Sequence, residues 1–197
     1  EYWTDEYDWF NDQDYLNSFN QYKSDIDDLK IHFVLEKGKG TNNYPLVLLH
    51  GWPGSVSEFH NIIPMLTKNS NNISFDVIAP SLPGFGFSDK PNKPIGPRKM
   101  AYYINNLLVD VLGYKNYFVQ GGDWGSYIAA WLAFDNPKNC NGIHINMMGF
   151  RHVHGTQNEE EKKWEDDFEL NVELQKGYMT QKATKPLTLA YSMVDNP

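Results

Sequence analysis

Short apolar runs alternate along this chain with stretches in which apolar residues recur every three or four positions. Ile31, Phe33 and Leu35 alternate with His32, Val34 and Glu36, which predicts a strand over 29–37. Residues 21–26 pair with it as a hairpin across Asp27 and Asp28. His32 falls on the alternate face, as a solvated or hydrogen-bonded strand histidine. Pro45 to His50 is a continuous apolar run, as expected of a strand buried on both faces of a parallel sheet. Further strands are predicted over 75–80, 117–120 and 142–147. Phe59, Ile62, Ile63 and Leu66 follow at helical spacing, so a helix is expected from Ser55, with Glu58 completing a capping box. Met100, Tyr103, Ile104, Leu107, Leu108, Val111 and Leu112 predict a long amphipathic helix ending near Gly113. Ile128, Ala129, Leu132 and Ala133 predict another.

The two ends of the chain are patterned differently. Residues 1–20 are polar but studded with Tyr2, Trp3, Tyr7, Trp9, Phe10, Tyr15, Leu16 and Phe19, and no single helical period fits them all. They read as an irregular helical arm packing aromatics onto the body; an aromatic cage for a ligand is the alternative. From Arg151 charge dominates, and residues 157–167 predict an acidic helix with Trp164, Phe168 and Val172 on one face. Its charges are those of a solvated face.

Strands with helices between the later ones describe a mostly parallel α/β sheet. The chemistry centres on Gly121-Gly122-Asp123-Trp124-Gly125, which follows the fifth strand and opens a helix. Gly-Gly-Asp also occurs in ordinary turns, where Asp bonds its own backbone. An apolar strand before it and a small-residue helix after it favour a nucleophile elbow, which holds its central residue in a strained conformation above the sheet. Asp in that place attacks carbon and forms an ester on the protein itself. The loop His50-Gly51-Trp52-Pro53-Gly54 ends the third strand, where open α/β sheets place their ligands. Residues 81–88, with two glycines among aromatics, read either as a backbone turning beside a pocket or as a plain Gly-Pro loop.

Composition narrows the partners. Net charge is −8 and Arg98 and Arg151 are the only arginines, which argues against nucleic acid and anionic membranes. A single cysteine, Cys140, excludes an internal disulfide. No apolar run approaches the ~18 residues of a membrane span, and no signal peptide is present. The chain is expected to be soluble and cytoplasmic as it stands, with membrane attachment only through an anchor ahead of Glu1. Because it begins at Glu1 rather than Met, a longer parent is expected.

The elbow after the fifth strand is similar to that of the α/β-hydrolase fold, whose triad runs nucleophile, acid, histidine. Taken together, residues 50–53, 82–88 and 120–126 resemble the microsomal-type and juvenile-hormone epoxide hydrolases. So do the aromatic arm from Tyr2-Trp3, the strand Gly142 to Asn146 and the segment Gly177-Tyr178 to Pro186. The resemblance implies an arm and hairpin over 1–44, an α/β-hydrolase core over 45–150 and the start of a lid over 151–197. It implies a small apolar epoxide as substrate, with Asp123 as nucleophile and Tyr178 as the lid donor to the epoxide oxygen. The Trp52 and Trp124 backbone N–H groups would form the oxyanion hole, supported by His50, Gly51 and Pro53. No metal or organic cofactor is implied, and the oligomeric state is open. The family's acid, catalytic histidine and second lid tyrosine are expected beyond residue 197, so the chain is read as truncated before the last strands. His144 is expected to be packed in a strand, and His152 and His154 come too early for the base. Asp28 stands where the family carries glycine, a local cost in a turn needing positive φ. A haloalkane or haloacid dehalogenase, which shares the Asp elbow, and a non-catalytic binding protein on the same fold are the other readings.

Overall fold

The computed structural model describes residues 2–148 and 155–191. They fall into two compact units, Glu1–Gly149 and Phe150–Pro197. In the first unit six strands form one sheet in the order β1-β2-β4-β3-β5-β6. These are β1 (Gln21–Ile26), β2 (Leu29–Glu36), β3 (Asn42–Leu49), β4 (Ile73–Pro80), β5 (Tyr117–Gly121) and β6 (Cys140–Ile145). β1 and β2 are an antiparallel hairpin and β2 joins β4 antiparallel, while the pairings β4–β3, β3–β5 and β5–β6 are parallel. The mostly parallel sheet follows the expectation from sequence.

Both faces of the sheet are covered, which explains the unbroken apolar runs. Val47, Leu49, Ile78 and Val119 point to one face, where they meet Ile104, Leu107, Ile128 and Leu132. Those residues come from α3 (Pro97–Asn106), the turn of π-helix after it (Leu107–Val111) and α4 (Trp124–Asp135). Leu48, Val77 and Ala79 point to the other face and pack with Val56, Phe59 and Ile63. The long helix therefore forms but changes hydrogen-bond register at Leu107, and it stops at Gly113, whose φ is +73°.

Two expectations are corrected and one is met in part. The helix from Ser55 is broken into a 3₁₀ turn (Val56–Phe59) and α2 (Ile63–Thr67). Pro64 is the cause: it has no N–H for the carbonyl four residues back, so a continuous helix cannot pass through it. The N-terminal arm does form helical segments, a π turn (Tyr2–Glu6) and α1 (Trp9–Asn17), yet neither contributes a buried residue. Tyr15 and the buried Phe19 do pack on the body, both against His60, the Phe19 ring stacking on it at 4.7 Å, whereas Tyr2, Trp3 and Tyr7 pack on one another. In the hairpin turn Asp27, not Asp28, has positive φ (52°). Asp28 thus escapes the cost expected of it and accepts a hydrogen bond from Tyr103 Oη at 2.7 Å.

The second unit is helical: α5 (Glu159–Gln175), α6 (Gly177–Thr184) and α7 (Leu187–Ala190). Asn158 caps α5 by accepting the Glu161 N–H at 2.8 Å, and Trp164 stacks on Phe168 along it. Among the described residues no helix is long and apolar enough to cross a membrane.

Candidate active site

Asp123 sits between β5 and α4 with φ 48° and ψ −125°, a conformation that an L-residue rarely adopts. The elbow is possible because strand and helix nearly touch. A Cβ on Gly125 would lie 2.2 Å from the Leu49 carbonyl oxygen, which belongs to backbone and cannot swing aside. Ser126 Oγ, itself buried, donates to the Gly121 carbonyl at 2.8 Å and ties the first turn of α4 to the end of β5. The Asp123 and Trp124 side chains stand exposed above the sheet.

The loop after β3 meets this elbow. Trp52 N–H donates to Asp123 Oδ1 at 2.8 Å, so one carboxylate oxygen is fixed by a backbone donor. Gly51 allows the approach, since a Cβ there would come within 2.3 Å of Asp123 Cβ. The Trp52–Pro53 peptide is cis. His50 is buried behind the loop, where its Nε2 accepts the Leu82 N–H at 3.1 Å. Nδ1 must then carry the proton, which it donates to the Gly51 carbonyl at 3.0 Å. Burial holds the His50 pKa below its ordinary value, in keeping with a neutral ring. Thus Asp123, Trp52, Trp124, His50, Gly51 and Pro53 all lie at the carboxyl ends of β3 and β5. Tyr178 belongs to the second unit, where it opens α6 with its ring exposed and Lys182 Nζ 5.6 Å above it.

Other histidines are accounted for differently. His32 is buried rather than solvated, with Nδ1 2.9 Å from Ser81 Oγ and Nε2 2.9 Å from Gln21 Oε1. Because Gln21 Nε2 donates to the Leu16 carbonyl, its Oε1 accepts, so His32 Nε2 carries the proton and Nδ1 accepts from Ser81. His144 corrects its expectation: it is exposed, on the strand that lies at the edge of the sheet formed by the described residues. His152 and His154 lie outside the described residues. Among the described residues no group of His, Cys, Asp or Glu is arranged to hold a metal ion.

A cavity of about 640 Å³ opens beside the hairpin, with Trp9, Leu16, Tyr22, His32, Ser81 and Phe87 in its wall. Gly86, at φ +49°, also lines it, so the 81–88 loop does turn beside a pocket, though not one containing Asp123. Sequence reading gave Glu58 only a capping role. Burial, and then the negative charge of Asp123, hold its pKa above the usual carboxylate range, against the lowering effect of the nearby Ser55 backbone. No local pattern could have brought Glu58 and Asp123 together, because they are neighbours only through the β3–β5 pairing.

With the geometry in place, comparisons with known proteins agree. The alpha/beta hydrolase fold family matches residues 44–189, and the family of the epoxide hydrolase N terminus matches residues 1–59. A juvenile hormone epoxide hydrolase from Bombyx mori is 44% identical over 74% of this chain and 33% of its own. Epoxide hydrolase 1 from Oryctolagus cuniculus is 34% identical over 100% of this chain and 49% of its own. The crystal structure of the silkworm juvenile hormone epoxide hydrolase superposes with a TM-score of 0.75 at 39% identity, covering 100% of this chain and 47% of that one. The chain spans about half the length of the curated relatives it matches along its whole extent.

Proposed function

Because the chain belongs to the α/β-hydrolase fold family and, within it, to the epoxide hydrolases, we propose that the protein adds water to epoxides through an ester on Asp123. The observation that carries this reading is the hydrogen bond from Trp52 N–H to Asp123 Oδ1. It engages one carboxylate oxygen and leaves Oδ2 to attack. In the first step Oδ2 bonds to an epoxide carbon, the ring C–O bond breaks, and the oxygen takes a proton from a donor, a role we assign to Tyr178. Oδ1 becomes the ester carbonyl oxygen. In the second step water adds to Cγ and charge develops on Oδ1, facing the Trp52 N–H, with the Trp124 N–H assigned as its companion. Collapse breaks the Cγ–Oδ2 bond and releases the diol as the base returns its proton to that oxygen, and the proton of the new carboxyl group goes to the Tyr178 phenolate, which restores both groups.

The water must lose a proton to a base. His32 and His50 have both ring nitrogens engaged, so neither serves. A small apolar epoxide is the substrate class we assign, in line with the relatives' names. Those names also favour epoxides over the carbon–halogen bonds of a dehalogenase.

Intact-mass spectrometry of the natural full-length protein tests the reading. Incubation with styrene oxide should give a covalent adduct equal in mass to the intact epoxide, followed by diol. Asp123→Asn should form neither. Absence of both adduct and diol with the parent protein across a panel of small apolar epoxides, or halide release from a haloalkane instead, would overturn it.

A further inference from the structure

We propose that Glu58 is a positioning residue for this reaction: by laying its carboxylate against the backbone at Gly54, it braces the loop that aims the Trp52 N–H at Asp123 Oδ1. The inference rests on the reading of Asp123 given above. The loop 51–54 hangs between two anchors. His50 fixes its start through Gly51 and Leu82. Ser55 fixes its end. Its carbonyl accepts the Glu58 N–H at 3.2 Å and its Oγ accepts the Ser57 N–H at 3.2 Å. The turn that carries these contacts is seated in the core by Val56 and Phe59, both buried. Neither contact uses the Glu58 side chain, which reaches back over the loop instead.

How closely it reaches is shown at Gly54. A Cβ on that residue would lie 1.5 Å from Glu58 Oε1 and 3.4 Å from the Gly51 carbonyl oxygen. The carboxylate therefore lies against the loop backbone, although Glu58 as a residue is exposed. Gly54 has no Cβ because the carboxylate occupies its place. A methyl group there would push away the far end of the Glu58 side chain while leaving the backbone unstrained.

This gives two independent ways to detach the clamp. A loosened Trp52 N–H should matter most when charge develops on Oδ1, that is, in ester hydrolysis rather than ester formation. Removing one oxyanion donor outright costs about 10²–10³ in rate, so a donor held less firmly should cost about ten- to hundredfold. In the natural full-length protein, Glu58→Ala is expected to slow hydrolysis by that factor and to accumulate the alkylated form, read by quenched-flow intact mass. Gly54→Ala should do the same. The double variant should be no slower than either, since both break one contact. Glu58→Gln keeps the same shape over Gly54 and should recover most of the lost rate. Wild-type hydrolysis in Glu58→Ala, additive losses in the double variant, or a Glu58→Gln as slow as Glu58→Ala would each overturn the inference. Adduct formation that depends on Asp123 in the parent protein is the control. If it is missing, the reading of the site has failed; if it is present, these variants judge Glu58 alone.

Discussion

Replacing His50 with leucine tests how the site loop is held. Leucine fills a similar volume but neither donates nor accepts. In the folded protein His50 is 1% exposed, and it serves two backbone groups at once, the Leu82 N–H and the Gly51 carbonyl. Both would be left without their partner. An unsatisfied buried group costs about 1–3 kcal/mol, so with two of them the variant should lose about 2–6 kcal/mol. At about 2–4 °C per kcal/mol for a domain of this size, that is a fall of roughly 4–24 °C in Tm. Urea denaturation followed by tryptophan fluorescence at pH 8 measures the loss.

The same histidine makes a pH signature. Its folded pKa is lowered by burial from the ordinary 6.5, because an imidazolium could not accept from Leu82. The unfolded chain therefore binds the proton more readily. The stabilisation is complete above about pH 6.5 and is lost as pH falls from there towards the folded value. Wild-type protein should weaken over that range more steeply than His50→Leu, so the gap between them should narrow on acidification. His32 and His60, also lowered by burial, contribute the same trend to both proteins and cancel in the difference. A variant within 0.5 kcal/mol of wild type at pH 8, within the usual range for neutral surface changes, or a gap that widens in acid, would refute the reasoning.

Gly125→Ala should destabilise the protein by about 1–3 kcal/mol or more, because its Cβ must displace the Leu49 backbone; differential scanning calorimetry reads the lowered Tm. Tyr178→Phe should slow ester formation about ten- to hundredfold and leave ester hydrolysis near its wild-type rate, as judged by single-turnover kinetics.

What could be read from the sequence was whatever depends on neighbours along the chain. The strands came through within a few residues because burial on both faces leaves an unbroken apolar run, as in Leu46 to Leu49. The elbow was legible for the same reason: Gly121, Asp123 and Gly125 are two apart, and their flanks show the change from strand to helix. The helix from Ser55 was misread because hydrophobic period outweighed one proline, yet Pro64 removes the hydrogen bond on which continuity depends. Aromatic residues in the arm promised packing onto the body, which Tyr15 and Phe19 find at His60, but period cannot say which partner each ring meets, and Tyr2, Trp3 and Tyr7 found one another. Contacts across the sheet were invisible. Neither the bond from Trp52 to Asp123 nor the approach of Glu58 leaves a mark in local sequence, since 71 positions separate the partners of that bond.

These long-range contacts explain how the strained residue persists. A non-glycine backbone at positive φ costs on the order of 1–3 kcal/mol and survives only where its surroundings leave no alternative. Around Asp123 the alternatives are closed from three strands or helices at once. β3 presses on α4 through Leu49 and Gly125. β5 is tied to α4 by Ser126 Oγ. The loop after β3 holds the Asp123 carboxylate itself through Trp52. Relaxing φ at Asp123 would break the last contact and drive α4 against β3, at a cost that exceeds the strain relieved. The same groups that force the conformation also present Oδ1 to a backbone donor, so the proposed chemistry and the strain have one structural cause. It follows that substitutions which loosen the elbow, such as Gly125→Ala, should lower the rate of ester formation together with Tm, whereas those confined to the loop should separate the two.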